Sequence, residues 1–572
     1  MRLAFDIEGN GLSEVVSGNK GQYLSEADKV WCLSISDIDT GNKELFTGVN
    51  IAIGVSKLEE ASLIVGHNIY GYDLPMLQRL YKMKSKVPFR EVIDTLLISR
   101  IMYPDGTPFD SRGSHSLAAW GNFLKEVKTE YSGGWEAYTA EMGSYCLQDS
   151  VVSLKIFNYM QKFIKQNDKA LYLEHTVSSI IQRQIEIGIG FDRAEAKILS
   201  RELKDKQEDI ENQLRDVFPP IVENRGYGKR GQKLKDKGIL FNPGSRQQIA
   251  SRLFQTHNIE VPRTEKGNPM VTAEVLSGLD NIPECRVLNS YFRMQKMSSQ
   301  VDDWISRTLV SRDRRIHGSV NTLGTVTGRM TAKEPNLQQV DSEPKMRKLF
   351  IPSPGRVLVG CDLKGLELRM LAHYLYPRDG GAYAKVVLNG DVHEYNKEMM
   401  GADSRNTAKV AIYGFIYGSG DAKFAKIMNV SIYKARQIKE NMLKNIKGLR
   451  ELVEETKNLS GVYGEIKPFN LRPIPIRKDY IALNTLLQSS GALIAKAWLC
   501  IADARLKKDI GIDNYAWLLN VHDEVQLECS QENSLLVAKV VTEAATAAGV
   551  YLNCNVRIDA DFKIGNNWSE TH

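Results

Sequence analysis

Cysteine is scarce and unpatterned: seven in 572 residues, with no CxxC pair and no regular spacing. That argues against a disulfide framework and a zinc site, and it leads to the expectation of a reducing compartment, the cytoplasm. No apolar run approaches the ~18 residues of a membrane-spanning helix, so no membrane partner is expected. No basic stretch followed by an apolar core opens the chain, so no secretory leader is expected. There is no long internal repeat and no low-complexity segment. Charge of one sign is also lacking: 75 Lys+Arg against 69 Asp+Glu leave only +6. Such a balance is compatible with a polyanionic partner but selects none. What remains is ordinary globular composition, 42% hydrophobic and 25% charged, with length for several domains.

Chemistry concentrates first in Val357–Arg369. Val357 to Val359 is a short apolar run after Pro354-Gly355 and reads as a buried strand. It delivers Asp362, turns at Gly365, and enters a helix (Leu366 to Leu375) that carries Glu367. A lone acid at a strand end is more often solvated or a helix cap. A second strand, Trp517 to Val521, delivers Asp523 in the same way, and only His522-Asp523 separates it from a third, Glu524 to Glu528. That spacing reads as a tight hairpin with Asp523 at its tip. Two carboxylates from distant segments can ligate hard cations. A metal pair roughly 3.5–4 Å apart is a device for in-line displacement at phosphorus.

Two further patterns stand out. Arg405, Lys409, Tyr413 and Tyr417 recur every four residues and form one helical stripe. Cations at one end suit phosphates and aromatics at the other suit a base. Gly414 and Gly418 leave bare backbone beside each ring. At the N-terminus, Asp6 and Glu8 share one face of a period-two strand. Asp73 begins a segment read as a helix, where an acid commonly caps, and Tyr145 and Asp149 share a helix face. Each of these alone is most simply a cap, a solvated acid or a core tyrosine. Asp94, on another apolar stretch, reads as structural.

Taken together, these motifs resemble the family A DNA polymerases, and among them the replicative enzymes of T7-like phages. Asp362–His373 (DLKGLELRMLAH) is similar to motif A, the Arg405 stripe to motif B and His522-Asp523-Glu524 to motif C. Gly324–Met330 with Pro335–Gln339 resembles the TGR…PNLQ signature, and Asn484 with Gln488 a second DNA-contacting motif. Gly565–His572 matches the terminal GxxWxxxH, so a complete C-terminus is expected. Asp6, Glu8, Asp73, Tyr145 and Asp149 resemble the DEDDy proofreading exonucleases.

The resemblance implies an α/β and α+β multidomain fold. An RNase H-like 3′–5′ exonuclease domain (1–170) is expected first. Linker helices and thumb (171–315), palm with motif A (316–380), fingers (381–460) and the second part of the palm (461–572) follow as a right-hand polymerase. It implies two Mg²⁺ held by Asp362, the carbonyl of Leu363 and Asp523, with Glu524 in support. Two more would be held by Asp6, Glu8, Asp73 and Asp149, with Tyr145 orienting the attacking water; Mn²⁺ could substitute. It further implies that Arg405, Lys409 and His393 contact the triphosphate. Tyr413 and Tyr417 would meet the base and sugar, and Glu367 would act as a gate against a 2′-hydroxyl. Arg329, Gln488, Asn484 and His522 would contact DNA. Primer-template DNA and dNTPs are the expected partners of a monomer, with a helicase-primase and a single-stranded DNA-binding protein as replisome partners. If the chain is phage-encoded, the host cytoplasm is the expected location.

In the best-known phage members an insertion before the Phe241-Asn242-Pro243 motif binds thioredoxin as a clamp. Here about twenty residues separate Pro219-Pro220 from Ile239, too few for a packed module, so no such clamp is expected. The glycine-rich basic segment 225–237 reads either as a solvated loop or as a non-specific phosphate grip. Two other readings stand beside the polymerase. A single-subunit RNA polymerase would not be expected to keep Glu367 and an exonuclease, and dNTP against rNTP extension separates the two. A non-catalytic DNA-binding protein on the same fold would be expected to have lost a metal acid, and none is missing.

Overall fold

The structure is a computed structural model and describes residues 1–11, 27–126, 131–223 and 237–572. It divides into two compact units: 1–190 with 317–339 and 351–572, and 191–316 with 340–350.

In the first unit, β1 (Arg2–Gly9), β2 (Val30–Asp37), β3 (Lys43–Thr47), β4 (Leu63–Gly66) and β5 (Val92–Asp94) form one sheet in the order β3-β2-β1-β4-β5. β1 pairs antiparallel with β2 and parallel with β4, and β5 is parallel to β4. The period-two pattern of β1 buries Leu3, Phe5 and Ile7 and leaves Asp6 and Glu8 half-buried on the other face. The helix Ala140–Gln166, capped by the Thr139 hydroxyl, packs against β1 and β2.

The same unit holds a second sheet, built from β6 (Arg356–Leu363), β7 (Tyr515–Val521), β8 (Glu524–Ser530) and β9 (Ala560–Gly565) in the antiparallel order β7-β8-β6-β9. Helices Ala482–Asp509 and Ser534–Tyr551 form its backing, with Trp498 donating to the Val541 carbonyl at 2.7 Å. The sequence contains no continuous apolar run of membrane length, yet the segments Asp479–Asp509 and Gln531–Tyr551 are long and apolar enough to span one. The expectation from runs alone is corrected here. Their apolar windows are 83% and 50% buried inside the protein, as core helices are.

Gly188, at φ 63°, ends the helix Asp168–Ile187. That helix packs on β7 and on Ala482–Asp509. From it Arg183 pairs with Asp503, which also accepts from Tyr515 at 2.7 Å and Trp517 at 2.9 Å.

In the second unit, helices Arg193–Val217 and Pro283–Val310 lie side by side. Leu214, Phe218, Phe241, Leu253, Leu288 and Tyr291 form its core. Residues 225–236 of the basic segment lie outside the described residues, and Lys237 opens the strand Lys237–Ile239.

Candidate active sites

β6 carries Asp362 as its last residue but one, and the two-residue turn between β7 and β8 ends in Asp523. His522 holds φ 60° at the first turn position, as primed hairpin turns require. The Leu363 N–H donates to the Asp523 carbonyl at 3.0 Å, which locks the two acid-bearing ends together. Across the ladder Asp362 pairs with Glu524 on one side and Asp561 on the other. Loss of hydration, then repulsion from Asp523, Glu524, Asp561 and Glu367, pushes the Asp362 carboxyl up to about 7. Loss of hydration, then Glu367, pushes Asp523 up to about 6. Asp362 is itself exposed, so mutual repulsion is the part of this strain that a cation would remove. Crowded carboxylate oxygens of this kind are the donor set that hard divalent ions take.

Glu524 is buried and tied down. It accepts from Trp568 Nε1 at 2.6 Å and Gln526 Nε2 at 2.8 Å, and His572 Nδ1 lies 2.8 Å from it. The terminal tryptophan and histidine therefore hold the third acid of the cluster.

A cleft of about 290 Å³ opens beside Asp523, lined among others by Arg329, Glu367, Tyr417, Asn520 and His522. Glu367 is its hub: one oxygen accepts from the Tyr417 hydroxyl and from Arg329 Nη2, both at 3.3 Å. Ala492, Ala495 and Lys496 line it from the helix Ala482–Asp509, whereas Asn484 and Gln488 sit a turn or more earlier on that helix. The helix Arg405–Ile416 starts from a Ser404 cap and ends at Tyr417. Arg405 and Lys409 are exposed, the rings of Tyr413 and Tyr417 stack at 6.3 Å, and His393 lies 6.3 Å from Tyr413. Arg405 Nε is paired with Asp391 at 2.7 Å, an acid that also caps the helix beginning at Val392.

The N-terminal acids share one cleft of about 690 Å³. Asp6, Glu8, Asp73, Tyr145 and Asp149 line it, together with Lys29, Trp31 and Trp135. Asp73 does not cap its helix, as the sequence suggested. It is the first helical residue, and its Oδ1 accepts the Ile7 N–H at 3.1 Å, which joins it to the strand bearing Asp6 and Glu8. Loss of hydration, with repulsion from Asp94 and Asp149, pushes Asp73 up to about 7. Asp94 is structural, as read: it caps Thr95–Met102 and accepts from the Asn68 and Tyr70 N–H groups. Its own N–H donates to His175 Nε2 at 3.0 Å.

Sequence reasoning missed Asp561, Asn520, Lys496, Trp31 and Trp135. Asp561 had a signal, an acid on the last strand-like run, and Asn520 lies on the strand that leads to Asp523; Lys496, Trp31 and Trp135 are brought in by contacts far apart in the chain.

The profile of DNA polymerase family A matches residues 227–570. The chain is 28% identical to the DNA-directed DNA polymerases of Enterobacteria phage T3 and Escherichia phage T7, each alignment covering all of both chains. It is 26% identical to DNA polymerase I of Aquifex aeolicus, over 89% of this chain and 88% of that one. Its fold is similar to that of the POL domain of Pol1 from M. smegmatis, solved in complex with DNA primer-template and dNTP. The TM-score is 0.80 at 19% identity, over 100% of this chain and 96% of the other.

Proposed function

This chain belongs to DNA polymerase family A, and on that premise we propose that it extends DNA primers with dNTPs on a DNA template and proofreads with a 3′–5′ exonuclease. The observation that carries the polymerase half is the meeting of Asp362 and Asp523, with Leu363 N–H bonded to the Asp523 carbonyl at 3.0 Å. Asp362, Asp523 and the Leu363 carbonyl would hold the Mg²⁺ pair, with Glu524 supporting. Bound there, the ions lower the pKa of the primer 3′-hydroxyl and neutralise the triphosphate.

The chain's own side chains do the positioning. Lys409 and Arg405 take the charge on the phosphoryl oxygens while the new 3′-O–P bond forms and pyrophosphate leaves. His393 adds a further phosphate contact. Tyr413 and Tyr417 take the sugar and base. Glu367, held by Tyr417 and Arg329, occupies the place a 2′-hydroxyl would need. Arg329 reaches minor-groove acceptors, which every correct pair presents alike; Asn484, Gln488 and His522 add DNA contacts.

The exonuclease half is supported by four acids and Tyr145 in one cleft and by the strand order β3-β2-β1-β4-β5, which is consistent with an RNase H-like domain over 1–170. We assign 171–315 to linker helices and thumb, 316–380 and 461–572 to the palm, and 381–460 to the fingers. The alignment with the phage T3 relative runs over 714 positions against 572 residues here. That supports the absence of a thioredoxin-binding insertion. A replisome role in a host cytoplasm belongs to the same proposal. Two variants test it. Asp523→Ala should abolish primer extension while single-stranded DNA is still degraded, and Asp6→Ala with Glu8→Ala should do the reverse. Loss of both activities in either variant would sink the two-site reading.

A further inference from the structure

Beneath the polymerase cleft lies a buried charge cluster to which the mechanism above gives no role. Glu174 Oε2 lies 2.6 Å from Lys496 Nζ, and its Oε1 lies 3.5 Å from Arg472 Nη1. The three side chains are 1%, 1% and 3% exposed. Two cations against one carboxylate leave a net positive charge out of water. Burying such a group is costly unless close geometry and further hydrogen bonds offset the lost hydration. Glu174 Oε1 meets the guanidinium only as an ion pair, and among the described residues Arg472 Nε and Nη2 have no hydrogen-bond partner. That edge of the guanidinium presses on Gly328, where an added Cβ would stand 1.5 Å from Nη2. Gly328 has φ 81°, closes a turn onto the Thr325 carbonyl at 2.9 Å, and immediately precedes Arg329. The Arg329 N–H is in turn fixed by the Thr325 hydroxyl at 2.9 Å.

We infer that Arg472, anchored by Glu174, is a positioning residue that sets the Thr325–Arg329 turn and thereby aims Arg329 at the primer terminus. The guanidinium fills the space under a bare glycine, so the turn cannot settle inward, and Arg329 stays in reach of Glu367 and the cleft. This rests on the reading of Arg329 as a minor-groove contact, and the test separates the two.

The experiment is a double-mutant cycle in the full-length protein, read as the kcat of single-nucleotide addition to matched and mismatched primer ends. Arg472→Met is expected to slow matched extension about ten-fold, a coupling ordinary for residues in one network. It should slow mismatched extension less, and it should cost nothing further in an Arg329→Ala background. A full ten-fold loss in both backgrounds means that Arg472 acts on the fold at large and overturns the inference. Unchanged extension by Arg472→Met overturns it as well. If Arg329→Ala alone is silent, the minor-groove reading falls and takes the inference with it. Degradation of single-stranded DNA and the melting temperature report folding. Should Arg472→Met fail to fold, Arg472→Lys keeps the charge but removes the Nη2 that lies under Gly328. It must reproduce the matched-end loss, and normal extension by it sinks the idea.

Discussion

Asp362 and Asp523 keep their protons to about 7 and about 6 in the metal-free protein, whereas an aspartate in an unfolded chain releases its proton near ~3.9. Between those limits the native state binds more protons than the unfolded one, so this pair subtracts stability as pH rises. Asp523→Asn should therefore raise the melting temperature of the magnesium-free protein at pH 8 by roughly 1–3 °C, and by nothing near pH 4. An equal gain at both pH values would show that the poorly hydrated, crowded charge is not the cause. Added magnesium should stabilise the unmutated protein more at pH 8 than at pH 5, because protons compete for the same oxygens. Tyr413 carries a second residue-scale expectation. In the role proposed for it, its hydroxyl would stand in for the missing 3′-OH hydrogen bond of a dideoxynucleotide. Ready ddNTP incorporation is expected, lost in Tyr413→Phe. Strong discrimination unchanged by that substitution would refute the idea.

At the scale of elements, the helix Arg405–Ile416 is tied at its start to its neighbour. Arg405 pairs with Asp391, and exposed pairs of this kind are worth about 0–1 kcal/mol. Asp391→Asn keeps the cap oxygen and frees the cation, so the KM for dNTP should fall by up to about five-fold in steady-state kinetics. A KM that stays put means the pair does not compete with substrate. The C-terminal pair acts on the hairpin. Trp568→Phe removes the donor to buried Glu524 and should cost about 1–3 kcal/mol in unfolding free energy, with primer extension falling and single-strand degradation intact. The strands and helices behind these statements were legible from local pattern: β1 from its period of two, the hairpin from its two-residue gap, the Arg405 helix from its period of four. The cap that Asp73 could have formed at a helix start is not made, because its partner, Ile7 N–H, is 66 residues away. The Arg472–Gly328 contact escaped for the same reason, since no local window contains both.

At the scale of the whole molecule, motifs pointed to the two groups of acids that line the clefts, while the way the helix Asp168–Ile187 lies beneath both could not be read from them. Nothing in its charged, periodic sequence marks Glu174 and His175 as fully buried. Yet Glu174 neutralises Lys496, and the adjacent His175 accepts from Asp94 N–H while its Nδ1 donates to the Leu171 carbonyl. Burial pushes that imidazole down to about 4, so it stays uncharged at neutral pH. Two neighbouring residues thus reach beneath two different clefts. A gene severed after codon 190 would send the carboxylate off with one product and maroon its ammonium and guanidinium in the other. Co-expressed, the pieces should recover each other as a soluble complex; expressed singly, the larger should collect in inclusion bodies, because it has lost Leu173, Val177, Ile180 and Ile181 from its core.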